Sequence, residues 1–187
     1  MRKFVRESWL ILALGLVFAT LLACAQTAFQ PRIQDNQARA LNEAIGLVVP
    51  GTVRTERVRV EGYDRDVFRC LAEGQTVAGW AVEAVGTGFA DRIRLVVGLS
   101  PDARSITGLK VIENVETPGL GNKIAEEAWA AQYRGLDAGR PIVVRKRPPA
   151  ADRNEVQAVT GATISSTAVT EIVNRALERV RPGLERL

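Results

Sequence analysis

The chain has 187 residues, no histidine and two cysteines. That composition excludes His-ligated haem, His-containing zinc sites and Ser-His-Asp chemistry, and no Cys-x-x-Cys pair is present to hold a cluster. Of the net charge of +4, Arg2, Lys3, Arg6 and Glu7 supply +2, leaving 22 basic and 20 acidic residues, a balance that gives no cationic field for nucleic acid. Any redox chemistry must come from an organic cofactor, and no metal-ligating set or catalytic residue stands out.

The hydrophobic fraction of 47% suffices for both a membrane span and a packed core. Residues 8–31 carry no charge, and as a helix these would run about 36 Å, more than the roughly 30 Å of bilayer hydrocarbon. Trp9 and Phe29 stand where interfacial aromatics are expected. The basic start places residues 1–7 in the cytoplasm by the positive-inside rule, with 8–31 as a transmembrane helix and 32–187 as one extracytoplasmic domain. Two other readings compete. Ala23-Cys24-Ala25 fits a cleaved signal peptide, and Leu21-Leu22-Ala23-Cys24 a lipoprotein acylated on Cys24. The uncharged run continues to Gln30, which favours the retained helix.

Ala38, Leu41, Ile45 and Val48 keep helical spacing until Pro50-Gly51. Strands are predicted over 53–60, 63–72 and 76–85, with Glu73-Gly74-Gln75 between the last two. Cys70 reads as a buried structural thiol. Gly86-Thr87-Gly88-Phe89 reads equally as a hairpin connection and as a loop that approaches a ligand. Further strands are predicted at 92–99 and 106–115.

Next comes Glu116-Thr117-Pro118-Gly119-Leu120-Gly121-Asn122-Lys123. Two glycines and a proline shape a loop whose backbone can approach a flat ligand, with Glu116 and Lys123 as polar handles. The plainer reading leads into a helix over 125–133, with Asn122 as cap and Ile124, Ala128 and Trp129 as its buried face. Strands at 142–145 and 155–159 flank Pro148-Pro149, and Arg145-Lys146-Arg147 reads as a solvated strand end.

Thr160-Gly161-Ala162-Thr163 then precedes an amphipathic helix with Val169, Ile172, Val173, Ala176, Leu177 and Val180 on one stripe. Ser165, Ser166 or Thr167 can serve as N-cap, leaving the Gly-Ala-Thr segment just outside. A helix mouth of this kind favours a phosphate, and a tight turn into a capped helix explains the same residues. Strands interrupted by a few helices give an α+β class, with largely antiparallel sheet and flanking helices.

The Thr117–Gly121 loop followed by Thr160-Gly161-Ala162-Thr163 resembles the FMN-binding domain family that carries covalent flavin. The layout of span and single domain resembles the G subunits of Rnf-type electron-transport complexes. The resemblance implies FMN esterified through its phosphate to Thr163, with FAD as donor, AMP as leaving group and a separate flavin transferase as catalyst. It implies Glu116, Thr117, Gly119, Leu120, Thr160, Gly161, Ala162 and Ser165 as cofactor neighbours. It also implies a membrane protein relaying electrons between ferredoxin and NAD beside other Rnf-type subunits, in an oxidoreductase coupled to ion translocation. The C subunits of sodium-translocating NADH:quinone reductases and membrane-tethered sensory flavodomains share the motif, and a flavin-free binding lipoprotein is the rival from another class. One departure is Gln157, where the family carries Asp.

Overall fold

The computed structural model describes residues 2–150 and 153–186, and the side chains of 1–8, on which the sidedness expectation rests, lie outside the described ones. The chain divides into two compact units, Met1–Ala40 and Leu41–Leu187.

The first unit belongs to helix α1 (Arg2–Val48). Its large apolar side chains from Trp9 to Phe29 are all exposed, and α1 is long and apolar enough to cross a membrane. The sequence suggests two helical segments, 8–31 and 38–48, whereas α1 runs unbroken through Pro31. An interior proline costs one backbone hydrogen bond, and no glycine or second proline lies between 32 and 45 to end the helix there.

The second unit is built on a five-stranded antiparallel sheet in simple sequence order. Its strands are β1 (Arg54–Val58), β2 (Val67–Leu71), β3 (Val77–Thr87), β4 (Arg92–Leu99) and β5 (Ile106–Glu113). A short parallel pair, β6 (Val143–Arg145) with β7 (Glu155–Gln157), lies outside it. The remaining helices are α2 (Glu127–Ala130) and α3 (Thr163–Leu184). The class is α+β, as expected.

Both faces of the sheet are covered, which explains why β3 and β4 are apolar on alternate and intervening positions alike. On one face Trp80, Val82, Ala84, Ile93, Leu95 and Val97 join the α3 stripe in the main core. On the other, Ala81, Val96 and Cys70 pack with Ala44, Ile45 and Val48. Gly108 makes this second contact possible, since a Cβ there would come within 2.9 Å of the Val48 Cα. Cys70 is buried in that layer, and burial pushes its thiol above the ordinary range.

Several sequence boundaries shift. β3 continues to Thr87, with Gly86 paired to Ile93 and Thr87 to Arg92. The first half of the glycine-rich stretch is therefore strand, and the connection is a tight hairpin closed by the Gly88 N–H to the Asp91 carbonyl (2.7 Å). The helix expected over 125–133 is a broken sequence: a 3-10 turn (Gly121–Ala125), α2, then another 3-10 turn (Ala131–Tyr133). Glu126 is extended (φ −70°, ψ 137°) and interrupts the helix. Asn122 consequently lies inside the first turn and is not a cap, and Ala128 is exposed while Trp129, Ala130 and Tyr133 are buried. The Tyr133 hydroxyl is bonded to Thr170 Oγ1 (2.6 Å) on α3, and burial raises its pKa.

Candidate functional site

The Gly-Ala-Thr segment is held from behind. Gln157, ending β7, accepts at its carbonyl from Trp129 Nε1 (2.7 Å) and donates its N–H to Gln132 Oε1 (2.8 Å). The chain then turns at Val159–Ala162, where the Ala162 N–H donates to the Val159 carbonyl (2.9 Å). Gly161 has φ +81°, the positive value that the third position of a type II turn demands.

Helix α3 begins at Thr163, earlier than the serines suggest. Ala162 occupies the N-cap and offers no side-chain acceptor. The first helical bond is the Ser166 N–H to the Ala162 carbonyl (3.0 Å), so the N–H groups of Thr163, Ile164 and Ser165 precede the helical ladder. None of the candidate caps acts as one, because two of the hydroxyls are used elsewhere. Ser166 Oγ donates to the Ala162 carbonyl (2.9 Å) and accepts the Val159 N–H (3.0 Å), bracing the turn. Ser165 Oγ donates to Glu116 Oε2 (2.6 Å).

Glu116 is the hidden organiser. The residue is only 4% exposed. While Oε2 holds Ser165, Oε1 accepts the backbone N–H groups of Phe89 (2.7 Å) and Ala90 (3.1 Å). Three neutral donors thus satisfy the oxygens of a buried acid, and one side chain ties the β3–β4 hairpin, the 114–120 loop and the first turn of α3 together. The glycines around it leave the necessary room. A Cβ on Gly88 would collide with Glu116 Oε1, and one on Gly121 would lie 2.9 Å from Glu116 Oε2 and from Ser165 Oγ.

In front of this brace lies an open pocket of about 290 Å3, lined among others by Phe89, Thr117, Leu120, Gly161, Thr163 and Ile164. The two sequence motifs therefore meet, as the loop-plus-turn pattern requires. Thr163 is half-buried at the pocket wall, Ala162 and Ser165 are buried, and Gly161 packs close to Leu120. Thr160, Gly119 and Lys123 are exposed and do not line the pocket, and Glu116 stands behind its wall rather than in it. Of the lining residues, Phe89 (61% exposed) lies in the stretch that sequence read equally as hairpin or ligand-approaching loop, and Ile164 (62% exposed) was missed. Large apolar residues so exposed at a hairpin tip and on the first turn of a helix were the available signal.

The chemistry of the pocket is that of a phosphate held beside an apolar surface. The first turn of α3 has no acidic residue, its N–H groups point beyond the helix start, and the dipole adds about 0.3–1 kcal/mol for a negative group. Small residues at 161 and 162 keep the Thr163 hydroxyl accessible, while Phe89, Leu120 and Ile164 offer apolar area for a flat ring. FMN, with one phosphate and one planar ring system, fits this donor set.

In an antiparallel α+β domain, a helix mouth of this type beside an apolar pocket suits a nucleotide-type cofactor. Residues 88–178 match the family model of the FMN-binding domain. It is 41% identical over 114 residues to the G subunit of the Na(+)-translocating ferredoxin:NAD(+) oxidoreductase complex of Acetobacterium woodii, covering 60% of this chain and 54% of that protein. It is 29% identical over 176 residues to the G subunit of the ion-translocating oxidoreductase complex of Methanosarcina acetivorans, covering 91% and 90%. Among solved structures, the C subunit of Na(+)-translocating NADH-quinone reductase from Parabacteroides distasonis superposes with a TM-score of 0.64 at 19% identity, over 82% of this chain and 96% of that one, which places the fold. Together with the apolar α1, these relatives mark a membrane-anchored protein.

Proposed function

We propose that this chain is the flavin-carrying, G-like subunit of an Rnf-type complex that couples electron transfer between ferredoxin and NAD to ion translocation, with FMN linked through its phosphate to Thr163 Oγ1. The observation that carries the reading is the position of Thr163: the first residue of α3, at the wall of the pocket, beside uncapped N–H groups. The G subunits of Acetobacterium woodii and Methanosarcina acetivorans support the choice of complex. FMN, when bound, supplies the redox chemistry.

The protein's own part is to bind and orient. The first-turn N–H groups of α3 receive the phosphate oxygens, the Val159–Ala162 turn presents the hydroxyl, and Glu116 holds the pocket walls in register. Phe89, Leu120 and Ile164 cover apolar ring surface and exclude water from it. A separate flavin transferase loads the cofactor, and the chain is its substrate. Residues 8–31 span the membrane, residues 1–7 are cytoplasmic because of Arg2, Lys3 and Arg6, and residues 32–187 lie outside. The fold shared with a quinone-reductase C subunit supports that assembly as the second reading.

The test is coexpression with a flavin transferase, followed by inspection of a denaturing gel for a fluorescent band. Thr163→Val is expected to lose the band and Thr160→Val to keep it. A full band from Thr163→Val would move the attachment elsewhere.

A further inference from the structure

A second cavity of the domain lies far along α3 from Thr163. Arg175 follows Thr163 by twelve residues, about 18 Å of helix rise. The cavity measures about 180 Å3, with Ala84 and Ile172 in its wall and Tyr63, Arg65, Arg175 and Arg179 around it.

Its charge is unbalanced. Asp64 is the one carboxylate lining it, 3.9 Å from Arg65 Nε. Arg175 and Arg179 are one helical turn apart, a like-charge arrangement that works against the helix. Among the described residues neither forms an ion pair. Glu171 stands one turn before Arg175, the favoured order for a pair, yet Arg175 Nε donates to the Glu171 backbone carbonyl instead (3.2 Å). Its guanidinium reaches over strand β3 at Gly86, where a Cβ would stand 3.3 Å from Nη2. The Tyr63 hydroxyl is committed to the Glu83 carbonyl (2.7 Å) and packs the wall.

We propose that this cavity is a second anion site, taking a phosphate-type oxyanion between Arg65, Arg175 and Arg179. Guanidinium forks match tetrahedral oxyanions bidentately, and a cleft lined by one sign of charge concentrates counter-ions. The small volume suits one phosphate group, from free phosphate or from a phospholipid headgroup, and not an extended acidic segment of a protein.

The experiment uses full-length, flavin-loaded protein in detergent micelles. Radiolabelled inorganic phosphate is titrated by equilibrium dialysis at constant ionic strength set with chloride. Saturable binding is expected, weakened about tenfold or more in Arg175→Ala/Arg179→Ala and less in Arg175→Lys, which keeps charge but loses the fork. Both arginines are exposed, so the variants keep the core intact, and they separate this site from the α3 N-terminus. Tighter binding of sn-glycerol 3-phosphate than of phosphate assigns a lipid headgroup, and equal or weaker binding assigns free phosphate. Unsaturable binding, binding unchanged in the double variant, or displacement of phosphate by hexaglutamate at equal charge would overturn the proposal.

Discussion

The two anion sites proposed along α3 would attract negative charge by different physics. At its N-terminus no basic side chain lines the pocket, and the attraction comes from backbone N–H groups, small residues and a buried acid that braces them. Toward its C-terminal end, guanidinium groups would do the work on an open rim. A backbone site is rigid, and its geometry depends on neighbours that never touch the ligand. A side-chain site is adaptable, and removing its charges costs the fold little. The first should therefore be fragile to substitutions behind its wall, the second only to substitutions on it.

The largest effect should come from Glu116. Replacing it with alanine leaves the Phe89 and Ala90 N–H groups and the Ser165 hydroxyl without their acceptor, a loss on the order of 3 kcal/mol. Glu116→Gln keeps most of these bonds and should lose less than half as much. Urea unfolding of both variants checks the order, and equal losses would mean that the charge and not the bonding matters. Gly88→Ala comes next, since its methyl would enter the space of Glu116 Oε1; overpacking should cost about 1–3 kcal/mol by the same measurement. Gly161→Ala, at φ +81°, should cost about 1–2 kcal/mol and reduce flavin labelling, because the turn that presents Thr163 is strained. At the other site, Arg175→Ala should change stability by no more than about 0.5 kcal/mol, with a slight gain at low salt from relief of the Arg179 repulsion. A loss well above that would tie the arginine to the fold.

How much of this was legible in the sequence follows from range. The α3 stripe and the β4 strand depend on local periodicity, and both stand where the spacing puts them. The Gly-Ala-Thr turn was readable because Gly161 needs its positive φ. The start of α3 was misplaced, since serine is a strong N-cap in general but here Ser165 and Ser166 are drawn to Glu116 and to the Val159–Ala162 turn. Glu116 itself drew notice as a polar handle of the loop. Its burial as a brace depends on Phe89, Ala90 and Ser165, which lie 27, 26 and 49 residues away in sequence. No window of sequence contains that contact. The break at Glu126 was equally hidden, because Ala125 to Tyr133 has acceptable helical composition and the bonds holding Trp129 to β7 and Tyr133 to α3 reach far outside that window.

The bond proposed at Thr163 can be tested directly. Protein made with a flavin transferase should be digested and the peptide spanning Thr163 sequenced by mass spectrometry. The expected result is the mass of FMN minus water on Thr163 and on no other residue. An unmodified Thr163 in protein that still carries flavin would contradict the assignment.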